Sequence, residues 1–119
     1  MTQAAIGSAA LLARKIRFAS EPDNTELLRH WLNAPLPERL QSRAGQRHYH
    51  RLQYQLLLET ISDEFVPEGW RCCCLEFIHQ PLQQLERLAE TTAEKREVRG
   101  LYFEVAMMSR CCHPPQTLH

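Results

Sequence analysis

The chain has 119 residues, is 44% hydrophobic, and balances 14 Lys and Arg against 14 Asp and Glu for a net charge of zero. That length corresponds to one domain, residues 1–119, and folding would bury roughly two thirds of the chain's surface without help from a metal or a disulfide. The apolar fraction excludes a disordered tail, and the neutral charge excludes wholesale polyanion binding, so any nucleic-acid contact must rest on a local patch.

Residues 2–19 place Ala5, Ala9, Leu12 and Ile16 on one face, joined by Ile6 and Ala13. This is helical spacing, supported by the high helix propensity of alanine. The run Ser20-Glu21-Pro22-Asp23-Asn24 is turn chemistry, in which Asp23 or Asn24 can cap a following helix. That helix is short, residues 25–33, with Leu27, Leu28, Trp31 and Leu32 as its apolar ridge, and Pro35 and Pro37 end it.

The longest predicted helix starts near Pro37 or after Gly45 and runs to about Phe65, with Leu52, Leu56, Leu57 and Ile61 apolar. Its opening carries the most regular feature of the chain. Arg39, Arg43, Arg47 and Arg51 stand four apart, with His48, Tyr49 and His50 among them and no acid before Glu59. On a helix a step of four advances about 400°, so the row stays on one side. Guanidinium groups are planar, permanently charged and suited to bidentate contact with carboxylate or phosphate. Cations near a helix N-terminus, and Glu59, Asp63 and Glu64 near the C-terminus, oppose the helix dipole. That reversed layout implies partners elsewhere, either in another molecule or in facing segments of the same chain. Residues 59–76, with five acids against Arg71 alone, are the obvious acidic counterpart.

Residues 66–80 fit two periods. Trp70, Cys73, Cys74, Phe77 and Ile78 match a helix, and Cys73, Leu75 and Phe77 match a strand; the helix is favoured, with Pro67 marking its start. Residues 81–95 read as a helix with Leu82, Leu85, Leu88 and Ala89 inward and Pro81 at its first position. Thr91 with Glu94 has the spacing of a capping box, which would open a last helix through Val98, Leu101, Tyr102, Val105 and Ala106. The expected fold is therefore all-α, a small bundle of about five helices. Its alternative is α+β, with short strands at 70–79 and 98–108. Residues 113–119 are expected to fray.

Five cysteines, at 72, 73, 74, 111 and 112, are an odd number, which argues against a disulfide framework. A metal site would need Cys72, Cys74, Cys112 and His113 to converge, and a helix through 72–74 forbids the first pair. The bland reading is small apolar core residues. A reactive thiol beside Arg71 or Arg110 is the remaining option. No nucleophile elbow, phosphate-binding glycine loop or paired-histidine zinc motif occurs, so no enzyme activity and no cofactor are expected. Nothing approaches the apolar length of a membrane span, and Arg14, Lys15 and Arg17 follow the first apolar run instead of preceding it as in a secretory signal; a cytoplasmic location is the expectation.

The residues thus point to a protein-binding module, of adaptor, regulator or chaperone type. Arg39, Arg43, Arg47 and Arg51, with His48 and Tyr49, are the expected binding residues, docking an acidic partner protein or a second copy in a homodimer. The alternative is a nucleic-acid regulator whose arginine row tracks phosphates.

Overall fold

The computed structural model describes residues 2–112, with side chains described over 9–109. Residues 113–119, expected to fray, lie outside the described residues. The chain folds as a compact all-helical bundle: α1 (Thr2–Arg17), α2 (Glu26–Leu32), a 3-10 turn (Glu38–Leu40), α3 (Arg43–Ile61), α4 (Glu68–Phe77), α5 (His79–Leu88) and α6 (Thr92–Cys112). Both segments of the strand alternative, 70–79 and 98–108, are helical, and the described residues contain no strand. The helical period wins there because adjacent Cys74 and Leu75 are both buried beside an exposed Glu76, and Val98 and Val105 are buried together, pairings that a strand would split between its two faces.

Each boundary has a local cause. α1 ends in two hydrogen bonds of the Schellman type, Ser20 N–H to the Lys15 carbonyl at 2.9 Å and Ala19 N–H to the Ile16 carbonyl at 3.3 Å. Ala19 takes the left-handed conformation at φ 51° that the motif demands, a position usually left to glycine. α3 starts at Ser42, whose hydroxyl accepts the Gly45 N–H at 3.0 Å. Gly45 therefore lies inside the helix's first turn, not ahead of it. A Cβ there would stand 2.8 Å from Leu40 Cα, so the 3-10 turn can cross α3 only over a glycine. α4 opens after Pro67, as expected. α5 begins at His79, two residues ahead of the expected start, leaving Pro81 still within the first turn, where its missing N–H removes no helical bond.

α3 is the central helix, and α1, α4, α5 and α6 pack around it. The core joins Ile16, Leu28, Tyr54, Leu57, Ile61, Trp70, Cys74, Ile78 and Leu82, each at most 1% exposed. Trp70 donates its indole N–H to the Ile16 carbonyl at 2.8 Å, tying α4 to the end of α1. Arg71 Nε donates to the Ile61 carbonyl at 2.7 Å and so satisfies an orphan acceptor at the end of α3. No helix of the described residues is long and apolar enough to cross a membrane.

Candidate interaction surface

The site begins with the arginine row, and the row is not what its spacing implies. Arg39 lies in the 3-10 turn, outside α3, and is exposed. The helix therefore carries three of the four arginines, and all three meet carboxylates of α6. Arg43 donates to Glu94 at 3.0 Å and to the Leu88 carbonyl at 2.9 Å, with Glu90 at 3.3 Å. Arg47 donates to Glu97 at 3.1 Å and lies 3.4 Å from Glu94. Arg51 pairs with Glu97. These contacts form a ladder of alternating charge along the α3–α6 seam. The expectation of guanidinium groups held open to solvent for an external anion is corrected by it: the row is engaged by the chain's own acids.

The other expected binding residues do not join these arginines. His48 is exposed, about 100° round α3 from Arg47, on the solvent side. Tyr49 is half-buried and meets the His50 ring edge to face at 5.5 Å between centroids. His50 is buried, with Nδ1 2.9 Å from Gln53 Oε1, and burial holds its pKa below the usual histidine value. The acidic segment 59–76 is not the counterpart either: Glu59 and Asp63 pair with Arg17 of α1 at 3.9 and 2.8 Å. The reversed dipole layout of α3 did signal partners, and they lie in the same chain.

Glu94 is the centre of the ladder. It completes the expected capping box, accepting the Thr91 N–H at 3.2 Å while its own N–H donates to Thr91 Oγ1 at 3.0 Å. It also accepts the Glu90 N–H at 2.9 Å. The Glu90 amide, then Arg43, then the Thr91 amide hold its carboxyl at about 2. One carboxylate thus starts α6 and fastens it to α3. The sequence signal was available, because Glu90, Glu94 and Glu97 repeat at helical spacing and match the pitch of the arginines.

The cysteines take the core reading for the residue that is fully enclosed. Cys74 is completely buried, while Cys72 and Cys73 are half-buried on α4. The helix turns Cys72 and Cys74 about 200° apart, so they do not face one ion. The side chain of Cys112 and all of His113 lie outside the described residues, among which no group of three metal-binding side chains occurs. Burial, then the nearby Glu76, pushes the Cys73 thiol up, opposite to the shift a reactive thiol needs. Arg71 is committed to the Ile61 carbonyl.

Among the surface features of the described residues, two involve α6. An open groove of about 570 Å³ runs between the α4–α5 junction and α6, lined by Leu75, Glu76, His79, Tyr102, Val105 and Ser109. The second lies on the far side of α6 and was missed by sequence reasoning, which read only the helix's inner period. Val98 and Val105 are buried and define the inner side. Opposite them Ala93, Arg96, Gly100, Phe103 and Met107 form a continuous exposed line, with Phe103 67% and Met107 45% open. Phe65, in the α3–α4 connection, is the most exposed large apolar side chain among the described residues, at 97%.

A scan against family models finds no match, and comparison with curated proteins and with solved structures returns none either.

Proposed function

We propose that this chain is a protein-interaction module whose contact surface is the outward face of α6. The observation that supports it is an exposed line of small and apolar residues, interrupted by Arg96, on a helix whose opposite side is already packed. A helix of a small bundle normally shows one apolar stripe and a polar outer face. α6 carries two, and the second ends on large side chains, Phe103 and Met107, of the kind that anchor protein interfaces. The arginine row contributes to this function indirectly, by fixing α6 against α3 so that its outer face is presented in one orientation. The phosphate-tracking alternative is weakened, since three of its four arginines, Arg43, Arg47 and Arg51, already hold carboxylates.

The test compares the chain with the double variant Phe103→Asp, Met107→Asp in the native source. Both should keep the same helical circular dichroism and melting temperature within a few degrees, because the changed positions are open to water. Proteins that cross-link to the parent chain should be lost from the variant. An unchanged set, or nothing cross-linked to the parent above background, overturns the reading.

A further inference from the structure

The outward line of α6 says more than that something covers it. Ala93, Arg96, Gly100, Phe103 and Met107 follow alternating steps of three and four residues. This is the a and d spacing of a two-helix seam, and it lies directly opposite the line through Val98 and Val105. Gly100 sharpens the point. A Cβ there would meet nothing within 4 Å, so the fold of a single chain gives no steric reason for a helix-weakening glycine at that position. A neighbouring helix that must come close does give one.

The flanks of the line are charged with opposite sign. Glu97 and Glu104 lie along one edge, and Arg99 lies along the other. Arg99 has no hydrogen-bond or ion-pair partner among the described residues, and neither does Arg96. Glu104 is exposed and accepts the Tyr54 hydroxyl through Oε1 at 2.6 Å, which holds the carboxylate in place at the edge of the seam. In a parallel helix pair the g side chain of one helix reaches the following e side chain of the other. With Ala93, Gly100 and Met107 at a, Arg99 is g and Glu104 is the next e. In an antiparallel pair the acidic edges would face each other.

We infer that the outward seam of α6 pairs with the same seam of a second copy of this chain, the two helices running parallel about a two-fold axis, so that Phe103 meets Phe103, Met107 meets Met107, and Arg99 of each copy meets Glu104 of the other, while the two Arg96 side chains, which share a d layer, carry their guanidinium groups away from each other into water. The inference rests on the module reading and names its partner. A seam of this size, with two large residues per helix, gives a weak and reversible dimer.

Sedimentation equilibrium from about 5 μM to about 500 μM, the range in which weak dimers dissociate, tests it. The weight-average mass of the parent chain should rise from 13.9 kDa toward twice that value. Arg99→Glu and Glu104→Lys should each weaken association about tenfold, by turning two attractive contacts into like-charge ones. Mixing the two variants should restore it, because a mixed pair recovers both opposite-charge contacts. Gly100→Ala should weaken association while raising the melting temperature, a combination that a purely intrachain role would not give. A parent chain that stays monomeric throughout, a mixture no tighter than its components, or a Glu104→Lys chain that associates more tightly overturns the inference. If the parent is monomeric yet another protein cross-links to it and is lost on Phe103→Asp, Met107→Asp, the module reading stands and the self-pairing fails.

Discussion

The two sides of α6 meet their neighbours by opposite means. The inner side opens on Glu94 and Glu97, with Glu90 just ahead of the helix, against three arginines of α3, and then buries Val98 and Val105 at 4% and 3% exposure. The outer side sets Arg96, Gly100, Phe103 and Met107 in water. Paired charges are spent inward beside the usual buried apolar stripe, and two large apolar side chains stand outward among the exposed Arg96 and Arg99, where a surface helix is ordinarily polar throughout. Exposed ion pairs add little stability but are directional, so the ladder serves mainly to orient the helix. What it orients is the apolar side.

That contrast can be broken most forcefully at Val105. Val105→Asp would bury an unpaired carboxylate and should cost at least about 3 kcal/mol, whereas Phe103→Asp, two residues away, should change stability by about 0.5 kcal/mol or less. Urea titrations of both variants, showing equal losses, would mean that the two sides are not distinct.

The two glycines give the next largest difference. Gly45→Ala must push a methyl group against the Leu40 backbone at 2.8 Å and should lose about 1–3 kcal/mol. Gly100→Ala meets nothing and should gain about 1 kcal/mol from helix propensity. Thermal melts at low concentration, where any self-association is absent, report both values.

The capping box comes third. Thr91→Ala should cost about 1 kcal/mol by removing the acceptor for the Glu94 N–H. Glu94 adds a pH dependence of known sign. Its folded pKa of about 2 lies below the ordinary 4.5, so its contribution is complete above pH 4.5 and is lost as the pH falls toward 2. Glu94→Gln should flatten the acid limb of a stability profile in that window. His50 acts higher on the scale with the same direction: its depressed pKa means stability declines as the pH drops below the ordinary 6.5. The smallest effect belongs to the Arg51–Glu97 pair, where a double-mutant cycle should give a coupling of about 0.2–1 kcal/mol that shrinks in high salt.

Much of the bundle was legible in the residues. Helical period found every α-helix, although α5 ends at Leu88, well short of the expected 95, and Thr91 with Glu94 announced the last one through hydrogen-bonding geometry that is local to the chain. The short-range signals for 70–79 and 98–108 fitted both periods, and only the burial pattern decided between them: Cys74 and Leu75 are buried beside exposed Glu76, and Val98 is buried together with Val105. The engagement of the arginine row was misread for a different reason. A row of arginines has the same spacing whether it faces solvent or a second row of acids. Which of these holds depends on the packing of α6 beside α3, a contact between residues about fifty positions apart. Spacing carries no information about such a contact unless both rows are read together.

Glu94 has a consequence for the axial placement of α6. Because the same carboxylate closes the helix's first turn and grips arginines on a neighbour, the helix cannot slide along its groove without uncapping itself. Its register is pinned at that one residue, and every later side chain takes its compass bearing by counting from there. A single residue inserted between Glu94 and Val98 would swing the remainder by about 100°, turning Phe103 toward the edge of the bundle and one of the buried valines toward water.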